Sequence, residues 1–199
     1  MEQLQAFYTH RLEEILRFMQ AHLGNECSYH SPEHTLDVIA CVNRLTACEK
    51  LDARETAQVR IAALYHDSGF AFQRNDHEDR SAAFFTEHAL ASGLQTDDID
   101  KICACILATK RHEAPRDLAE AIIRDADLDY LGRPDYPEIA ALLHREMQHF
   151  GELPEPHDWI EMQIRFLKSH HYLTACAQAE RQAGLLENLQ KLELQRSSL

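Results

Sequence analysis

No uninterrupted apolar run in this chain approaches the ~18 to 20 residues that a membrane-spanning helix needs, so no such span is expected. The opening Met1-Glu-Gln-Leu-Gln has no basic stretch of the kind that begins a secretion signal. Basic residues are outnumbered: 20 Lys and Arg stand against 33 Asp and Glu, a formal net charge of -13. An extended nucleic-acid groove relies on Lys and Arg to displace counterions, and this balance argues against one. A small phosphorylated ligand stays compatible, because a bound cation can supply positive field locally. The six cysteines form no C-x-x-C pair, and Cys41, Cys48 and Cys103 fall among apolar positions. Reduced, buried thiols are therefore expected in preference to a zinc or disulfide framework. These absences together predict a cytoplasmic protein with no membrane and no extended nucleic-acid partner.

What is present is helix. Hydrophobic residues make up 45% and charged residues 27% of 199 positions, the balance of one folded domain, residues 1–199, with a full core. Strand-like alternation is nearly absent, and neither a repeat nor a low-complexity linker interrupts the chain. Leu4, Tyr8, Leu12, Ile15 and Met19 step by threes and fours along a first helix that stops near Gly24. Ser31 followed by Pro32 reads as an N-cap with proline in the first helical turn. Asp52 with Glu55 reads as a capping box for a helix whose inner stripe carries Val59, Ala62, Ala63 and His66. A loop is expected over 68–76, then helices over 78–92 and 96–109, one opening at Pro115 and running toward Leu128, one through Ile139 to Phe150, one over 159–167 and a last one over 173–194. The punctuation at 151–156 separates the last two from the rest. The prediction is an all-α bundle of about eight or nine helices.

Chemistry concentrates in a few places. His66-Asp67 closes the apolar stretch that begins at Ile61, with His66 aimed inward by periodicity. An unpaired carboxylate there would cost several kcal/mol, a penalty that a cation removes. His34 stands in the first turn of its helix, facing the same way as Val38 and Cys41. Downstream, Asp125, Asp127 and Asp129 crowd an otherwise apolar segment, and acids at that density need a cation or arginine partners. Two imidazoles and two carboxylates hold a divalent ion while leaving positions open for water and substrate, as a catalytic site requires. A hydrolase is expected. Spacing alone leaves Asp125 and Asp127 as equal candidates for the last ligand. Lys110 and Arg111 suit a phosphate, and equally a solvated helix C-terminus.

Over residues 29 to 132 this order of motifs resembles the HD-domain metal-dependent phosphohydrolases: a distant His, a His-Asp doublet, then a final Asp in an Ala-Asp-Leu triplet. The resemblance implies metal ligands His34, His66, Asp67 and Asp127, with helices from about 134 to 195 packed on that core. His77-Glu78-Asp79-Arg80-Ser81-Ala82 is similar to the [His/Asn]-Glu-x-x-Ser-Ala segment of a group of small, uncharacterised members. Ile106 to His112 is similar to that group's helix leading toward the site, and the tail Phe166 to Thr174 with Arg181 is similar too. The implied reaction is metal-dependent hydrolysis of a small phosphorylated molecule, a nucleotide or related phosphoester. The cation would be Mn, Fe, Co, Ni, Mg or Zn, one ion, with His77 and His112 available for a second. Asp67 would serve as ligand and proton acceptor, Glu78 as a further acid or base, and Lys110, Arg111, His77 and His112 as substrate contacts. Phe70, where many relatives carry lysine, and Ser31-Pro32, in place of an asparagine turn, are departures that bear on substrate choice. The alternative is an HD-fold regulatory protein that binds a nucleotide or metal without turnover. The leucines of the last helix (Leu185, Leu186, Leu189, Leu192) would pack on the chain's own domain or form a homodimer.

Overall fold

The computed structural model describes residues 1–111, 113–152 and 156–197, with the backbone alone at 156–158. The described residues form nine α-helices: α1 (Glu2–His22), α2 (Pro32–Cys48), α3 (Ala53–Tyr65), α4 (His77–Ala91), α5 (Thr96–Leu107), α6 (Leu118–Asp127), α7 (Tyr136–His149), α8 (Pro156–Ser169) and α9 (Ala175–Arg196). Two short 3-10 turns, Ser68–Ala71 and Asp129–Gly132, follow α3 and α6, and no strand occurs among the described residues. The all-α expectation holds.

The helix starts follow their caps. The Ser31 hydroxyl accepts the His34 N–H, with Pro32 in the first turn of α2. The Asp52 carboxylate accepts the N–H groups of Arg54 and Glu55, each at 2.8 Å. α3 then buries Val59 and every residue from Ile61 to Tyr65, because α1, α2, α5 and α6 surround it. A helix buried on all sides is apolar all round, and this one delivers His66 to the interior at its end.

Several boundaries differ from the sequence reading: α5 stops at Leu107, α8 runs from Pro156 to Ser169, and three more have a visible cause. α6 starts at Leu118 rather than Pro115, because the Asp117 side chain caps it through the Glu120 N–H at 3.1 Å. The 68–76 segment is not simply loop: its first four residues wind into a 3-10 turn. α9 starts at Ala175 rather than Leu173, because Asp125 takes the N–H groups of Leu173 and Thr174 while the Thr174 hydroxyl caps Ala177. Of the 151–156 punctuation, residues 153–155 lie outside the described residues.

The cysteine expectation needs correcting at one pair. Cys48, the last residue of α2, and Cys176, the second of α9, form a disulfide across 128 residues of sequence, with Cα atoms 6.3 Å apart. Cys48 is exposed rather than buried, and two helix ends meeting in space leave no trace in local spacing. Cys27, Cys41, Cys103 and Cys105 are free.

α9 seals the end of the bundle that follows α6. A Cβ on Gly184 would lie 2.1 Å from the Gly132 carbonyl oxygen, so only glycine lets α9 lie flat on the 129–132 turn. Asn188 donates to the carbonyls of Leu131 and Arg133, while Asp129 receives Arg44 and Arg181 at 2.7 and 2.8 Å. Leu185 and Leu192 are buried within the chain's own domain. No helix among the described residues is long and apolar enough to cross a membrane.

Candidate metal centre

α2, α3 and α6 each send one end to the same point. His34 comes from the first turn of α2, His66 and Asp67 from the C-terminal end of α3, and Asp127 from the last position of α6. His66 is fully buried, and its Nδ1 donates to the Ala63 carbonyl at 2.8 Å. That bond fixes the tautomer and leaves Nε2 as the outward-looking donor atom. His66 Nε2 lies 3.4 Å from His34 Nε2, 3.2 Å from Asp67 Oδ2 and 3.6 Å from Asp127 Oδ1. His34 Nε2 lies 3.4 Å from Asp67 Oδ2 and 3.1 Å from Asp127 Oδ1. Ligands at about 2.0 to 2.2 Å from a shared ion sit roughly 2.8 to 3.6 Å from one another, which is the spacing seen here.

Asp67 Oδ2 is the telling atom. It is buried and has no hydrogen-bond partner among the described residues. A buried carboxylate oxygen that accepts no hydrogen bond is costly unless a cation or a protonated imidazole faces it. The electrostatics agree in direction. Burial opposes charge on His66, but Asp67 and Asp127 outweigh it and hold the imidazole well above its ordinary range. Burial likewise opposes charge on Asp67 and Asp127, yet His66 and His34 respectively hold the two carboxyls well below the usual range. A cation satisfies the same carboxylates that here draw on a proton.

No protein-family model matches the chain, and no curated protein does. Among solved structures, it is similar to the crystal structure of a predicted HD superfamily hydrolase from an uncultured Thermotogales bacterium, at 21% identity and a TM-score of 0.60. The match covers 93% of this chain and 92% of that one. The chain has the HD fold.

Within this HD fold, Asp125 and Asp127 separate cleanly. Asp125 is fully buried and accepts the Leu173 and Thr174 N–H groups at 2.9 and 2.8 Å, while Asp127 faces the two histidines. A cleft of about 850 Å³ opens beside Asp67 and Asp127. His77 and Glu78 line it, and His77 Nε2 lies 3.5 Å from Oδ1, the other oxygen of Asp67. Arg111 lines the cleft with its guanidinium over the Phe166 ring at 5.2 Å. Lys110 does not join the cleft: Asp79 holds its ammonium at 2.7 Å from both carboxylate oxygens. Adjacent residues at the end of a helix point apart, and Lys110 found a surface acid. His112 lies outside the described residues.

Several cleft residues gave no sequence signal strong enough to single them out. His30 Nδ1 meets Glu146 Oε1 at 2.5 Å. Glu146 is fully buried and also accepts the N–H groups of Tyr29 and His30 and the Arg74 guanidinium. Phe70, the departure from lysine, is sandwiched between the rings of His30 and His77, with centroids 3.9 and 3.8 Å away. Arg124 stands one helical turn before Asp127 on the same face of α6 and donates to the Arg111 carbonyl at 3.0 Å.

The turn that carries Asp67 and Phe70 is pressed against α4. The Gly69 N–H donates to the Ser81 hydroxyl at 2.8 Å, and a Cβ on Gly69 would lie 1.9 Å from the His77 carbonyl oxygen. Both partners fall in the His77-Glu78-x-x-Ser81 segment. Gly69→Ala is therefore expected to destabilise by about 1 to 3 kcal/mol through overpacking against backbone, with Tm falling by several degrees. A melting curve unchanged from wild type would show that the 3-10 turn is free to shift.

Proposed function

We propose that the protein is a metal-dependent phosphohydrolase acting on a small phosphorylated molecule. The observation that carries this reading is the buried Asp67 oxygen that accepts no hydrogen bond, set among His34, His66 and Asp127 at ligand spacing and opening on a cleft. The four side chains would hold a divalent cation, and their mixed N and O donors suit Mn, Fe, Co, Ni or Zn better than a purely oxygen-seeking ion. When bound, the cation supplies Lewis acidity and makes a water nucleophilic near neutral pH.

The chain's own residues do the rest. Arg111 and Arg124 take the non-bridging phosphate oxygens; neither guanidinium faces a carboxylate among the described residues. Asp67 accepts the proton of the attacking water, with Glu78 on the cleft wall as the next acceptor. His30, its Nδ1 engaged by Glu146, presents Nε2 as the donor that protonates the leaving oxygen as the P–O bond breaks. Glu146 acts as a positioning residue for that ring, as a buried carboxylate does behind a catalytic histidine.

Phosphate release from a panel of phosphomonoesters and diesters with added Mn or Co tests the proposal. Metal content measured alongside distinguishes an inactive preparation from an unloaded one. Tight ligand binding without turnover under every metal would favour the regulatory alternative. His30→Asn is expected to lower kcat about 10²-fold with KM little changed. The deficit should shrink for esters with acidic leaving groups such as p-nitrophenol, which depart without a proton. An equal loss on every leaving group would remove His30 from the proton path.

A further inference from the structure

The cleft is larger than the proposed chemistry needs. A phosphate and its cation occupy a small fraction of about 850 Å³, and the remaining volume runs away from Asp127 beneath α7 and α8. That far half is walled by Tyr136, Leu143, Met147, Trp159, Met162 and Phe166. Trp159 stacks on the His144 ring with centroids 4.9 Å apart, so its position is set by packing. The two methionines give an adaptable apolar wall of the kind found at surfaces that accept varied hydrophobic shapes.

Two polar groups of the far half have their oxygens engaged within the chain. Gln163 accepts the Tyr136 hydroxyl at 2.7 Å, and the Ser169 hydroxyl donates to the Phe166 carbonyl at 3.0 Å. A carboxylate that accepts both hydroxyls is one well-attested way to recognise a ribose. The one cleft carboxylate away from the metal end, Glu152, is bound by the Arg74 guanidinium at 2.5 and 3.0 Å. Arg165 and the His170 ring remain as donors on the α8 side, but no free carboxylate is left there to accept a sugar diol, while an apolar ring or branched chain meets matching walls. Arg111 links the two halves: its guanidinium sits on Phe166, so one side chain borders both the apolar wall and the proposed phosphate position.

Resting on the hydrolase reading for its phosphate end, we infer that the substrate is a phosphoester of a hydrophobic alcohol, aryl or branched alkyl, in place of a nucleotide. The phosphate end lies at Asp67, Asp127, Arg111 and Arg124, and the organic half lies on Met147, Trp159, Met162 and Phe166.

Two measurements on the full chain separate this inference from the hydrolase reading. In the first, binding of 1-naphthylmethylphosphonate and of methylphosphonate is measured by calorimetry in the presence of Mn; the P–C bond makes both inert. The naphthyl compound is expected to bind at least about 10-fold tighter, since each buried methylene is worth about 0.8 kcal/mol. Met162→Gln and Met147→Gln, near-isosteric changes of which either suffices should the other fail to fold, are each expected to shrink that ratio by about 3-fold or more. In the second, kcat/KM is compared for 1-naphthyl phosphate, ribose 5-phosphate and adenosine monophosphate, and the naphthyl ester is expected to lead by 10-fold or more. Equal affinity for the two phosphonates, or a ratio unchanged in both variants, overturns the apolar subsite. Turnover led by the nucleotide overturns it as well, while leaving the hydrolase reading standing. Selective phosphonate binding with no turnover of any ester supports the subsite and removes the hydrolase.

Discussion

Replacing His66 and Asp67 together by alanine is expected to remove stoichiometric metal and lower phosphoester hydrolysis by roughly 10⁴-fold, the scale on which losing members of one catalytic unit acts. The effect is large because the two side chains would supply two of the four donor atoms of the proposed site and because Asp67 is also the proposed proton acceptor. His66 contributes through a fixed tautomer, since its Nδ1 is committed to the Ala63 carbonyl and only Nε2 remains for an ion. The fold should survive the change. His66 and Asp67 are removed together, so neither is left buried opposite a missing partner, and α3 keeps its apolar packing from Ile61 to Tyr65. Elemental analysis and phosphate release from the same preparations check the prediction together. Metal retained with hydrolysis intact in the double variant would end the mechanism, whereas metal lost with hydrolysis intact would move the chemistry to another part of the cleft. Asp67→Asn alone keeps the volume and should show the metal loss without any packing change.

The residues that could be read in advance are those whose position is set locally. Ser31 and Pro32 fix the start of α2 and thereby the turn on which His34 rides. The apolar stripe of α3 aims His66 inward before any tertiary contact is known. What could not be read depends on groups that meet across the bundle. Asp125 and Asp127 are two residues apart on one helix, and they separate because Leu173 and Thr174, about 48 residues further on, bring two N–H groups to the first and none to the second. Lys110 and Arg111 were equal candidates until Asp79 took the lysine. Glu146 lies 116 residues from His30 in a helix whose own periodicity marks it only as another polar position. Cys48 and Cys176 meet because α9 folds back on α2. Local caps and stripes place single side chains; the partner of each is chosen by the packing of distant helices.

The second large effect concerns stability, and it falls on Glu146. This carboxylate is fully buried, yet it collects His30, Arg74 and two backbone N–H groups. Burial alone would raise its pKa, but the bonds from His30 and Arg74 more than reverse that and bring it down to about 2 from an ordinary 4.5. A folded-state pKa below the unfolded one means that the ionised group stabilises the fold above pH 4.5 and that this contribution is lost as pH falls from there toward about 2. Its size at neutral pH is about 3 kcal/mol. Glu146→Gln removes it and leaves His30 and the two N–H groups with a weaker acceptor, while Arg74 retains Glu152. Breaking one side of a buried charged network costs about 3 to 5 kcal/mol, which in a chain of this length lowers Tm by roughly 10 °C. The difference between wild type and variant should be greatest at pH 7, shrink steadily below pH 4.5 and vanish only below about pH 2, where both are uncharged at this position. Taking the difference cancels the acid sensitivity of Asp67 and Asp127, which is common to both proteins. Urea melts of metal-free protein at pH 7, 5 and 3 supply the measurement. A gap of constant size across that range would mean that Glu146 matters by shape alone, and that the His30 ring is held by Phe70 rather than by a charge.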